Sequence, residues 1–259
     1  MRSQLTITDL TRMHGTKICV AGYLPTGECI RPVLPKTNLT ESWLFRGRPR
    51  ILKPFAVIEL ELLRPAPDRV PPQTEDWEIE LAYDYRTELD LVDRFELLHS
   101  ITSSHLGSVF GAGLRGRQDG SGLWIQQGTG VRSLGTIHVR RVDEVVFRIN
   151  PNGKGAYRLR FEDETGDDFR LPVTDLAFRM HLDSLLARQE MTTAEAARAV
   201  QQSLHDAPDV FLRLGLARYW DQHPDRCYLQ VNGVYSFPDY LDGRCFADYI
   251  ETPRVEIPF

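Results

Sequence analysis

Cys227-Tyr228-Leu229-Gln230-Val231-Asn232-Gly233-Val234-Tyr235-Ser236-Phe237, followed by Pro238-Asp239-Tyr240, alternates with a period of two between turn signals and reads as an aromatic β-strand. On this register Tyr228, Gln230 and Asn232 share one face; Leu229, Val231 and, across Gly233, Tyr235 share the other. One face packs. The other offers a ring and two amides flanked by Arg218 and Arg226, a mixture that suits a β-platform able to stack bases and bond their edges. The same residues also fit a half-buried strand with no ligand, where tyrosine is common. Tyr219-Trp220 extends the aromatic run on the N-terminal side.

Working outward, 259 residues with 42% hydrophobic composition suffice for one large domain or two small ones with real cores. The charge balance of 31 basic and 36 acidic residues gives −5, so no global positive field draws the chain to nucleic acid, and any such site must be a local patch. Cys19, Cys29, Cys227 and Cys245 form no CxxC and have no histidine pair nearby, so neither a zinc site nor any other metal or cofactor is expected. Cys19 and Cys29 would lie diagonally across a hairpin, a poor disulfide geometry, and four reduced thiols in a cytoplasmic protein are expected. Met1-Arg2-Ser3 leads into an amphipathic strand without an apolar leader, and no window reaches membrane-spanning length, so no membrane association is expected.

Along the chain, Leu5-Thr6-Ile7-Thr8 alternates, and Lys17 to Tyr23 turns through Pro25-Thr26-Gly27 into Glu28 to Val33, a hairpin. Arg12, His14, Lys17 and Arg31 form a small basic cluster near it, able to hold phosphates or simply solvated. The stretch from 36 to 54 is irregular, with Arg46, Arg48, Arg50 and Lys53 around Trp43 and Phe45. It reads either as an Arg-rich loop gripping a backbone or as an ordinary surface loop. Phe55 to Leu62 alternates, with Ile58, Leu60 and Leu62 inward and Glu59 and Glu61 outward. Pro65, Pro67, Pro71 and Pro72 mark a stiff connector. Thr74-Glu75-Asp76-Trp77-Glu78 then reads as a helix cap with acids in the first turn, or as paired carboxylates for a metal. A helix is expected over 86–104, and a glycine-rich loop with Arg115 and Arg117 over 113–122.

The second half opens with strands at 123–126, 137–141, 142–149, 156–161 and 169–173; the acids from Glu162 to Asp168 lack a calcium-loop register and read as a turn. Helices are expected from Thr174-Asp175 to about Gln189 and, behind the capping box Thr192-Thr193-Ala194-Glu195, to about His205. A helix-turn-helix reading fails because Val210 to Leu216 continues as a strand.

Short strands joined by hairpin-like connections favour small Greek-key barrels over a doubly wound sheet. Gly15-x-x-x-Cys19-Val20-Ala21-Gly22, Glu28-Cys29-Ile30-Arg31-Pro32, Thr74-Glu75-Asp76-Trp77, Arg132-Ser133-Leu134-Gly135-Thr136-Ile137, Trp220 and Leu229 to Tyr235 together resemble the bacterial dual OB-fold family over nearly the whole chain. The resemblance implies a mainly β chain with helical insertions, built as two OB-like small β-barrels; we draw their bounds at 1–112 and 113–259. It also implies nucleic-acid binding, with no catalytic residue carried over. The expected function is a non-catalytic module for single-stranded DNA or RNA acting with separately encoded enzymes. A metal-dependent nuclease using Glu75 and Asp76 or the acids from Glu162 to Asp168, and a protein-interaction scaffold with a protein partner, are the alternatives. Stacking is expected from Trp43, Trp124, Tyr228 and Tyr235, and phosphate contact from Arg31, Arg46, Arg48, Arg50, Arg115 and Arg132. The sequence sets no oligomeric state.

Overall fold

The computed structural model describes residues 1–189, 191–218 and 222–250, and the chain is mainly β with helical insertions. Strands β1 (Arg2–Arg12), β2 (Ile18–Tyr23), β3 (Cys29–Val33), β4 (Ala56–Pro65) and β5 (Asp76–Glu88) close into a barrel in the order β1-β2-β3-β5-β4. β1 serves two neighbours: its first half pairs with β4 and its second with β2, with a register shift between Ile7 and Asp9. Parallel pairing of β3 with β5 closes the seam, Arg31 opposite Asp76 and Val33 opposite Glu78. The alternation seen in sequence fills the barrel, with Leu5, Ile7, Val20, Ile30, Ile58, Leu60 and Ile79 buried.

The helix expected at Thr74-Glu75-Asp76 is absent, and β5 begins there instead. Distant donors decide this. Glu75 accepts hydrogen bonds from the backbone N–H of Ser133 and Leu134 (2.6 and 2.9 Å) and from the Ser133 hydroxyl (2.9 Å), while Asp76 pairs across the seam with Arg31. The later helix, α1 (Leu91–Ser100), is shorter than the expected 86–104 because β5 runs on to Glu88; Asp90 caps it by accepting the Asp93 N–H.

The second unit contains β6 (Thr102–Ser103), β7 (Trp124–Gln126), β8 (Leu134–Ile149), β9 (Gly155–Asp163), β10 (Asp168–Pro172), β11 (Asp209–Leu216) and β12 (Arg226–Phe237). Its sheet runs β10-β9-β8-β11-β12-β7, with β6 beside β8. The two strands expected at 137–141 and 142–149 are one long strand, which pairs first with β11 and then with β9. β8 to β12 therefore repeat the order of β1 to β5, the OB-like arrangement in both units, except that β10 and β12 meet only through the parallel bridge Val173 to Val231. Between β10 and β11 stand α2 (Leu176–Gln189) and α3 (Thr193–Asp206), and the capping box expected at Thr192 and Glu195 forms. The α3 face of Ala196, Ala197, Val200 and Leu204 is buried.

One hydrophobic cluster runs through both units, and a smaller one of Phe55, Leu98 and Phe211 lies under α1. β11 is buried along almost its whole length, because Leu212 and Leu214 face the second core while Phe211 and Arg213 face the first barrel. Arg213 is fully buried there; its Nε and Nη2 donate to Asp9 Oδ2 at 3.0 and 2.8 Å, and its Nη1 donates to Thr136 Oγ1 at 2.7 Å and to the Tyr23 hydroxyl at 3.0 Å. Burial works most strongly against this charge, but Asp9 together with Tyr23 and Cys29 holds the guanidinium above its ordinary pKa. The four cysteines are free thiols. Among the described residues no helix is long and apolar enough to cross a membrane.

Candidate functional site

A cleft of ≈ 700 Å³ lies where the two units meet. One wall is the turn between β1 and β2 (Arg12 to His14), together with β3 at Arg31 to Val33 and the chain after it. The other wall is Thr174 and Arg179 at the start of α2, the end of β11, and Gln230 and Asn232 on β12. The cleft shares Val33, Leu34, Thr37, Asn38 and Arg218 with a second hollow, ≈ 850 Å³, that follows the connector between β4 and β5 past Ala66, Val70 and Gln73. This is the region an OB barrel uses, beside strands two and three and between the loops joining strands one to two and four to five.

The cleft is lined by Arg12, His14, Arg31, Arg179 and Arg218 and by no carboxylate among the described residues. The acids stand behind the cations. Asp76 accepts from Arg31 Nε at 2.5 Å on one oxygen and from Arg218 on the other, so a single carboxylate positions two guanidiniums. Arg12 is held by Glu41 at 2.8 Å. Burial opposes the charge of Arg31 most strongly, but Asp76 with Cys19 and Glu75 together lift the pKa above the ordinary arginine value. Arg179 donates Nε to the Val173 carbonyl at 2.8 Å and lies over the Tyr157 ring at 5.2 Å; burial draws its pKa down.

The alternation of β12 holds from Cys227 to Val231, with Tyr228 and Gln230 half-buried and Leu229 and Val231 buried; Asn232 borders the cleft but is itself buried, because Val231 to Val234 are buried on both faces. Asn232 Oδ1 lies 3.1 Å from the Thr174 hydroxyl, which fixes the amide. Its side chain lies flat over Gly215, where a Cβ would stand 2.0 Å from Nδ2, so the glycine supplies the room.

Of the residues expected to bind, Arg31 lines the cleft. Trp124 and Tyr228 come together in another hollow of ≈ 500 Å³ with Arg117, Arg158 and Arg226, and Arg115 lies over the Trp124 ring at 5.4 Å. Arg46, Arg48 and Arg50 are exposed on a different part of the first barrel, Arg48 over Phe45 and Arg50 over Tyr85, and none lines the cleft. Arg132 is exposed and lines neither concavity.

Two rings require correction. Trp43 is 1% exposed, donates its indole N–H to the Leu81 carbonyl at 2.7 Å and packs edge-on against Tyr83, so it has no face to stack on. Tyr235 is spent between the units, its hydroxyl donating to the Thr8 carbonyl at 2.7 Å and its ring edge-on to Phe55 at 4.8 Å. Glu75 and Asp76, two of the carboxylates of the nuclease alternative, are each filled by the donors described above and point to different partners. Tyr219 and Trp220 lie outside the described residues. Arg179 and Arg158 carry no sequence signal, because a single arginine within a helix or a strand reads as a solvated side chain; only the fold turns them toward a concavity. Compared with protein-family models and with curated proteins, the chain matches none.

Proposed function

We propose that the chain is a non-catalytic module that binds single-stranded nucleic acid in the cleft between its two barrels. The observation that carries this reading is the lining of the cleft: five basic side chains with the amides of Gln230 and Asn232, and no carboxylate among the described residues, at the position where OB barrels take their ligands, in a chain of net charge −5. Charge of this sign, gathered against the overall balance, suits a phosphate backbone. Gln230 and Asn232 supply donors and acceptors for base edges, which only an unpaired strand leaves accessible on all sides.

The test is fluorescence anisotropy with labelled single-stranded DNA and RNA oligonucleotides over a range of salt. Affinity is expected to fall linearly in log salt, and Arg12→Ala with Arg218→Ala together to make that slope shallower by about two. Failure of every oligonucleotide to bind at low salt would end this reading. A partner protein that copurifies through nuclease treatment and high salt would replace it.

A further inference from the structure

The β12 face that lines the cleft does not stop there. Gln230 and Asn232 line the cleft; Tyr228, two residues earlier on the same face, lines the hollow on the second unit. A strand rises about 3.3 Å per residue, so Tyr228 and Asn232 stand about 13 Å apart along one continuous surface. Trp124 on β7 is directly opposite Tyr228 in register. Its ring carries Arg226 at 4.6 Å and Arg115 at 5.4 Å from the centroid, so the indole presents guanidinium planes outward instead of a bare face. Arg117 and Arg158 are exposed at the same hollow, and its lining contains no carboxylate among the described residues. Two acids stand close by: Asp119 accepts from the Ser121 N–H and hydroxyl, and Asp225 pairs with Arg226 Nε at 3.8 Å, which leaves Arg117 and Arg158 as arginines of the lining in ion-pair contact with neither.

We propose that this hollow is a second contact for the same strand, so that one nucleic acid runs from the cleft along Asn232, Gln230 and Tyr228 to the Trp124 stack. The inference rests on the cleft reading above and extends its footprint across both units. Arg117 and Arg158 neutralise phosphates, and the Tyr228 ring with the Arg226 guanidinium over Trp124 receives a base, a stacking mode that tolerates any sequence.

The experiment is a length series of homopolymer oligonucleotides, from about 4 to about 16 nucleotides, measured by anisotropy against wild type, Arg117→Ala with Arg158→Ala, and Tyr228→Leu. Wild-type affinity is expected to climb with length until both contacts are spanned. Both variants should bind the shortest bound oligonucleotide as wild type does, yet lose on the order of tenfold on the longest; for the arginine pair the salt slope there should also be shallower by about two. Unchanged length dependence and slope in the Arg117 and Arg158 variant, alongside weakened binding in the Arg12 and Arg218 variant, would overturn the second contact and leave the cleft standing. Absence of wild-type binding at every length would overturn both.

Discussion

The two barrels follow the same strand order and differ at one seam. In the first, β3 and β5 pair as parallel strands and the join is sealed by a charged contact, Arg31 on Asp76. In the second, β10 stops at Pro172 and the chain turns into α2, so the corresponding join is one bridge and two side chains: the Thr174 hydroxyl lies 3.1 Å from the Val231 carbonyl, and Asp175 accepts the Val234 N–H at 2.8 Å while capping α2 through the Phe178 N–H at 3.1 Å. The difference shows what closure does. In the first unit β3 and β5 are paired on both edges, whereas in the second the seam stays open: β10 and β12 meet at one bridge, and β12 contributes Gln230 and Asn232 to the opposite wall of the cleft.

That contrast can be broken at several points. The largest effect is expected at the buried contact that ties the units together. Asp9→Ala leaves Arg213 charged and unpaired in the interface and should cost about 3–5 kcal/mol in denaturant unfolding. Leu at 9 with Met at 213 should recover most of that loss. Wild type is expected to unfold in a single transition. A surviving separate transition for the closed barrel in Asp9→Ala would show that it stands without its neighbour.

The open seam should be the pH-sensitive one. Burial raises Asp175 to about 6, opposed by the N–H donors of Phe178 and Val234. Because the folded pKa lies above that of the unfolded chain, the stability this group contributes is fully present below about pH 4 and is lost as pH rises through 6. Acidifying from pH 7 to 4 should therefore stabilise wild type relative to Asp175→Asn by about 2 kcal/mol, read as a pH-dependent gap in melting temperature. A gap that stays constant across that window would remove Asp175 as its source. A smaller effect is expected at Gly215→Ala, whose Cβ would collide with the Asn232 amide; about 1–3 kcal/mol of overpacking cost and weaker oligonucleotide binding should appear together. Loss of stability with unaltered binding would take Asn232 out of the site.

Much of the fold was legible. The hairpin around Gly27, the β4 alternation, the Thr192 cap and β12 as far as Val231 all form as the pattern indicated, because each is set by neighbours in sequence. Where local and distant partners compete, the distant ones win: Thr74-Glu75-Asp76 carries a helix-start pattern, yet Ser133, Leu134 and Arg31 supply donors that draw it into a strand. Rings were harder still. Trp43 and Trp124 both stand close to a glycine in the sequence, but one is sealed under Tyr83 and the other lies half-exposed beneath two guanidiniums. The nearby basic run Arg46, Arg48 and Arg50 stays together on a surface away from the cleft, whereas Arg12, Arg31, Arg179 and Arg218, spread over two hundred positions, converge.

Periodicity, turns and caps are short-range properties, and the order of residues was enough to determine the hairpin around Gly27, the alternation of β4, the capped helix at Thr192 and the exposure pattern of β12 as far as Val231. The convergence of cations was decided by tertiary structure alone, because a charge 200 residues away in the chain becomes a neighbour only once two barrels have packed and Asp76 has fixed two guanidiniums from different units on one carboxylate.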